Sequence, residues 1–149
     1  MLATEQTKTT FDLPTFTITF KRTFTAPPED VFDAWTQPEQ ISQWWDPEGK
    51  PLTECTIDLR VGGEFKLVKG HPPFAGVYLV IERPSLLVFD AMGAVGTVRL
   101  ESERGVTSMT VTIRCANAEH FEHMTKLGVA DGTDRTLDNL VAHIAARTA

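Results

Sequence analysis

The stretch FTAPPEDVFDAWTQPEQISQWW, residues 24–45, contains two proline-opened helical patterns in close succession. Pro28 and Pro38 suit the first turn of a helix, where the backbone N–H groups have no helical partners. Acidic residues follow each proline and favour the positive end of a helix dipole. The stretch therefore predicts short helices over 28–35 and 37–45, with Thr36 capping the second.

All three tryptophans of the chain lie in this stretch. The apolar spacing predicts that Trp35 anchors the two helices as part of the core. Of the tandem pair, we expect Trp44 to face an interior space and Trp45 to cover the outside or a partner. The two helices would then form a V that closes one end of a sheet.

The chain has 149 residues, 42% of them hydrophobic, which suits one domain over 16–149 behind a flexible lead over 1–15. The net charge of −6 and the lack of a basic stripe argue against nucleic-acid binding. No apolar run reaches the ~20 residues needed to span a membrane, and no signal peptide is apparent. Cys55 and Cys115 form no paired motif and predict free thiols in a cytoplasmic protein.

Alternating apolar and polar residues predict strands on both sides of the two helices. Residues 16–20 alternate before them, and 52–115 alternate between turns such as Gly62-Gly63. The pattern indicates a curved antiparallel sheet of about seven strands, and hence an α+β fold.

The C-terminal third predicts two helices rather than one. The apolar positions before and after Gly128 point in different directions, so we expect a short helix over 118–126, capped by Asn117, and a long one over 129–146. The long helix is small and polar over 129–136 and aliphatic over 137–144. Beneath its first half, either the sheet approaches the helix closely or a cavity remains.

In this order the elements resemble the START-like (SRPBCC) helix-grip fold, shared with birch-pollen-allergen-like proteins. Within it, the chain is similar to the activator of heat-shock protein 90 ATPase homologue-like family over about residues 16–146. The segments that carry the resemblance are RTFTAPPEDVFDAWTQPEQISQWW (22–45), CTIDLRVGGEF (55–65), FAGVY (74–78), ERPSLLVF (82–89) and GVADGTDRTLDNL (128–140).

The resemblance implies an apolar ligand cavity between the sheet and the long helix. Ordinary core packing is the alternative for each lining candidate. Relatives often carry tryptophan at the position of Thr133. Loss of that indole would either enlarge the space under the helix or let a neighbouring side chain fill it. The candidates are Trp44, Phe65, Leu67, Tyr78, Phe89, Met109, Val129, Gly132, Thr133 and Thr136.

Chemistry-bearing motifs are weak. Tyr78, the only tyrosine, could orient a ligand or reach a backbone carbonyl. Arg135 is spaced to pair with Asp131, or to bind an anionic head at a cavity mouth. His120 and His123 are poorly spaced for a metal. No nucleophile elbow or phosphate loop occurs, so we expect no metal, no cofactor and no catalytic residue.

The sequence thus favours binding of a small hydrophobic or amphipathic ligand. One alternative is a cyclase- or hydrolase-type enzyme, which would need convergent polar groups such as Tyr78 with a buried carboxylate or histidine. The other is a protein-interaction module that is chaperone-partner-like, with a stress-response role; it would have an exposed apolar patch and no cavity. Relatives that activate the chaperone carry an additional N-terminal domain, so ATPase activation is not expected. A homodimer is compatible with the sequence.

Overall fold

The computed structural model describes residues 9–69 and 73–148. Eight antiparallel strands form one open sheet in the order β1-β2-β8-β7-β6-β5-β4-β3. The strands are β1 (Thr9–Asp12), β2 (Thr17–Phe24), β3 (Glu54–Ile57), β4 (Glu64–Val68), β5 (Phe74–Glu82), β6 (Leu86–Ala91), β7 (Ala94–Glu103) and β8 (Val106–Arg114).

The strand β1 was not expected, because it falls within the lead predicted to be flexible. It pairs with β2, with Thr9 opposite Phe20 and Asp12 opposite Thr17. Phe11 also packs edge-on against Phe121, with ring centroids 6.4 Å apart. Backbone pairing and this ring contact hold a segment whose own residues are mostly exposed. The rest of the predicted lead, residues 1–8, lies outside the described residues.

Two short helices, α1 (Pro28–Thr36) and α2 (Pro38–Trp44), follow β2 as predicted, each with proline in its first turn. The predicted cap was wrong. Thr36 ends α1, where its hydroxyl donates to the Phe32 carbonyl at 3.0 Å, and Gln37 occupies the cap position of α2. A threonine hydroxyl can bond back along its own helix in this way instead of capping the next one.

The C-terminal helices α3 (Ala118–Lys126) and α4 (Val129–Thr148) confirm the predicted break. Gly128 lies between them with φ of +79°, a conformation that side chains with a Cβ rarely adopt. Asn117 caps α3 by accepting a hydrogen bond from the His120 N–H at 2.8 Å. Among the described residues, no helix is long and apolar enough to cross a membrane.

The sheet grips α4, which confirms the predicted helix-grip class. Arg22 on β2 is almost fully buried and donates to the Asp134 carbonyl and to the Asp138 carboxylate, both at 2.9 Å. Leu140 and Ile144 on the second half of α4 are buried in the main core. The second half of α4 is therefore ordinary core, and the first half is where a site can exist.

Candidate ligand cavity

A cavity of about 280 Å³ lies between the sheet and the first half of α4. Exposed Met92 and Leu127 lie at its rim, which places its opening between the β6–β7 turn and the junction of α3 with α4. The residues around it come from four strands, from the helices α1, α3 and α4, from the loop after α2, from the β6–β7 turn and from the junction of α3 with α4. They are Trp35, Trp45, Pro47, Phe74, Phe89, Ala91, Met92, Ala94, Gly96, Val111, Ile113, Met124, Leu127, Val129, Gly132, Thr133, Thr136 and Leu137.

Phe89 forms part of the floor because its strand neighbour is a glycine. Phe89 on β6 lies directly opposite Gly96 on β7. A Cβ at Gly96 would come within 2.5 Å of the Phe89 ring, so only glycine lets the ring lie flat across the sheet there. Gly96 therefore determines where the Phe89 ring lies at the base of the cavity.

The first half of α4 forms the roof with small residues. A Cβ added at Gly132 would find no atom within 4 Å outside its own helix, so open space lies below this position. Thr133 lines the same space, as an enlarged cavity requires. The Thr136 hydroxyl donates to the Trp45 carbonyl at 3.0 Å, which fixes the end of α2 against α4.

The tandem tryptophans take the opposite places from those expected. Trp44 is fully buried, and its indole N–H donates to the Ala34 carbonyl at 3.0 Å. Trp45 lines the cavity instead. Consecutive helical residues point about 100° apart, so only one of the pair can face the sheet. Trp35, expected as core, is buried and also lines the cavity.

Val129 lines the main cavity as predicted, whereas four other predicted residues do not. Phe65, Leu67 and Tyr78 border a second, much smaller space of about 20 Å³, which Phe89 also lines. Met109 is 1% exposed and belongs to the core. It precedes Val111 and Ile113 on the same face of β8, and those two residues do line the main cavity. The predicted set therefore divides between the two spaces and the core.

Several lining residues were missed although their pattern was visible. Val111 and Ile113 continue the alternation that singled out Met109, and Met124 lies on the apolar face of α3. Phe74, Ala91 and Ala94 gave no distinguishing signal, since apolar strand residues look alike before the sheet's curvature is known.

The electrostatics of the cavity are those of an apolar space. None of its described lining residues carries an ionisable side chain. The Trp35 indole N–H is buried and has no hydrogen-bond partner among the described residues. Tyr78 is 3% exposed, and burial, with a smaller contribution from Cys55, raises the pKa of its hydroxyl. The hydroxyl therefore stays protonated at neutral pH.

Other candidate groups have ordinary partners. Arg135 pairs with Asp131 at 3.4 Å on the exposed face of α4. His120 accepts a hydrogen bond from the Ala116 N–H at 3.0 Å, and His143 lies 3.0 Å from the Gln40 amide oxygen. Within the described residues, no cluster of three or more metal-ligating side chains is found. His71 lies outside the described residues.

The two cysteines are free thiols, Cys115 buried and Cys55 half-buried. Burial raises the pKa of both, and the charge of Glu39 adds to the effect at Cys55. A thiol whose pKa is raised is mostly protonated at neutral pH and is therefore a poor nucleophile.

Solved structures share this fold. A protein from Rhodobacter sphaeroides is 23% identical with a TM-score of 0.83, over 95% of this chain and 99% of its own. A protein from Nitrosomonas europaea is 20% identical with a TM-score of 0.81, over 89% and 96% respectively. CalU16 from Micromonospora echinospora is 22% identical with a TM-score of 0.70, over 97% and 89%.

No functionally curated protein matches the chain. The sequence family described as activator of Hsp90 ATPase homolog 1-like protein matches residues 25–145. This span includes the proline-opened helices, the six strands β3 to β8, and most of α4. The chain therefore belongs to the activator of Hsp90 ATPase homolog 1-like protein family.

Proposed function

We propose that this protein binds a small hydrophobic or amphipathic molecule in the cavity beneath Gly132 and Thr133. The observation that carries the proposal is an apolar space of about 280 Å³ that reaches the surface. Ligand sites in proteins are typically apolar clefts of roughly 300–1,000 Å³. An engineered apolar cavity of roughly 150 Å³ binds benzene. A ligand of about twice the size of benzene, such as a two-ring aromatic, fits this space.

The lining also limits the charge of the ligand. Burying an ion without a partner is strongly unfavourable, and the described lining offers no counter-charge. A ligand would therefore be neutral inside the cavity, with any charged group left at the rim beside Met92 and Leu127. This supports a neutral or amphipathic compound over a fully buried anion.

The described lining supports binding rather than catalysis. A cyclase or hydrolase would need an acid–base pair at the cavity, for which Tyr78 was the leading candidate. Tyr78 borders only the smaller space, and no carboxylate or imidazole is found among the described residues of either lining. General acid–base catalysis requires such groups within hydrogen-bond reach of the substrate.

A protein-interaction role is the alternative. Leu59, Val61 and Leu79 are exposed apolar side chains, and the Gly62 N–H donates to the Tyr78 carbonyl, which brings their loop and strand together. That role, including a chaperone partner, was expected to go with a collapsed cavity. The open space beneath α4 favours ligand binding instead. A cytoplasmic location and a homodimer stay predictions.

The experiment is a calorimetric titration with 2-isopropenylnaphthalene, an uncharged two-ring hydrocarbon. Gly132→Phe places a ring in the open space, and Gly132→Ala is the matched control that adds only a methyl group. We expect wild type and the alanine variant to bind, and the phenylalanine variant to bind at least about tenfold more weakly. Equal binding by all three proteins would contradict the proposed site. A native mass spectrum of freshly purified protein would identify any co-purified natural ligand.

A further inference from the structure

Trp35 and Trp44 are neighbouring tryptophans whose indole N–H groups differ in hydrogen bonding. The rings of Trp35 and Trp44 pack edge-on with centroids 5.0 Å apart. Trp44 donates to the Ala34 carbonyl, whereas the Trp35 nitrogen is buried and has no partner among the described residues. Buried donors are nearly always hydrogen-bonded, and one left unpaired costs about 1–3 kcal/mol. The Trp35 N–H therefore requires an explanation.

A second polar group borders the same region. Tyr78 lines the smaller space together with Trp35, and it is buried. The space measures about 20 Å³. One water molecule needs roughly 10–15 Å³ by this measure, so the space suits a single oxygen atom. Because burial raises the pKa of Tyr78, its hydroxyl is present as a donor.

The smaller space adjoins the main cavity. Trp35, Trp45, Phe74 and Phe89 line both, so the two spaces lie next to each other at these aromatic side chains. An atom at the inner end of a ligand in the main cavity would therefore lie near the smaller space. No cationic residue lines either space among the described residues, so a carboxylate there would lack a counter-charge.

We infer that Trp35 and Tyr78 form a polar sub-site at the inner end of the cavity, which takes one neutral acceptor oxygen of the ligand. This inference rests on the proposed function and narrows it. The ligand class becomes an apolar molecule with an inward-facing ketone, aldehyde or similar neutral oxygen, rather than a plain hydrocarbon or a buried acid. The oxygen would accept from the Trp35 N–H and the Tyr78 hydroxyl.

Three probes of nearly the same shape test the sub-site by calorimetry. 2-Acetylnaphthalene carries the acceptor oxygen, 2-isopropenylnaphthalene replaces that oxygen with a CH₂ group, and 2-naphthoate carries a charge. We expect wild type to bind the ketone about three- to tenfold more tightly than the hydrocarbon, the range that one net hydrogen bond gives. The carboxylate should bind most weakly.

Tyr78→Phe removes one oxygen atom and Trp35→Phe removes the indole donor. Each should lower the ratio of ketone affinity to hydrocarbon affinity toward one. Tyr78 does not line the main cavity, so Tyr78→Phe should leave affinity for the hydrocarbon unchanged, which also shows that this variant is folded. Equal wild-type affinities for ketone and hydrocarbon would overturn the sub-site and leave the proposed function standing. A ketone preference that survives in both variants would also overturn it. Failure of wild type to bind either neutral probe would overturn the proposed function, and the sub-site with it.

Discussion

The two halves of α4 lie on the same sheet but do different things. The half that carries Leu140 and Ile144 packs branched side chains into the core, and Leu140 is 0% exposed. In the half that carries Gly132 and Thr133, the side chains are too small to fill the gap to the sheet, and a space of about 280 Å³ remains. One helix thus stabilises the fold with one half and provides a binding site with the other. The two halves belong to a single continuous helix and differ in side-chain volume.

The largest expected effect is a loss of stability from the core half. Leu140→Ala removes a fully buried side chain and should lower the free energy of unfolding by about 2–5 kcal/mol in a urea titration. The matched change Thr133→Ala, in the cavity half, removes no hydrogen bond to a described residue and should change stability by less than about 1 kcal/mol. Similar losses for the two variants would contradict the division of α4.

A smaller effect is expected where the two halves meet. Asn139 donates to the Asp46 carbonyl at 2.8 Å and to the Trp44 carbonyl at 3.4 Å, and so fastens the end of α2 to α4. Asn139→Ala should cost about 1–3 kcal/mol of unfolding free energy, because those half-buried carbonyls lose their donors. Asn139→Asp keeps the shape without the N–H groups and should cost a similar amount. Wild-type stability in both variants would show that the contact does not hold the helices together.

The sequence predicted the fold better than the site. Proline, glycine and alternating patterns act locally, so α1, α2 and the break at Gly128 were visible in the chain. Which of Trp44 and Trp45 faces the sheet depends on the helix rotation, and a small rotation exchanges them. The pairing of β1 depends on contacts made with Phe121, more than a hundred residues away in the chain. The asymmetry of α4 pointed to the cavity from the residues themselves, and the family resemblance implied it independently.

Stability should rise modestly when a methyl group is added to the cavity half. Gly132→Ala replaces a helical glycine, and its Cβ would meet open space. Alanine stabilises a helix interior by roughly 0.5–1 kcal/mol relative to glycine, so the urea midpoint should increase. A decrease would mean that the sheet lies closer to Gly132 than the cavity requires. The Gly76→Ala variant is the contrasting control, because its Cβ would clash with the Phe65 ring and with Ala91.

The smallest effect concerns pH and the core half. Partial burial, with the charge of Arg147, lowers the pKa of His143 below its ordinary value. The unfolded chain then binds more protons than the folded one as pH falls through about 6.5, so stability from this group is lost toward acid. His143→Gln should make the decrease in stability between pH 7.5 and 5.5 shallower than in wild type. An unchanged or steeper decrease would contradict the role assigned to His143.

The most direct test of the division of α4 is a methyl NMR titration with 2-isopropenylnaphthalene. Methyl signals of Met124, Val129 and Thr133 should shift as the probe enters the cavity, while those of Leu140 and Ile144 stay unchanged. That result would place the ligand beneath the first half of the helix. Unchanged signals from the first half, or shifts confined to the exposed Leu59 and Leu79, would contradict the account.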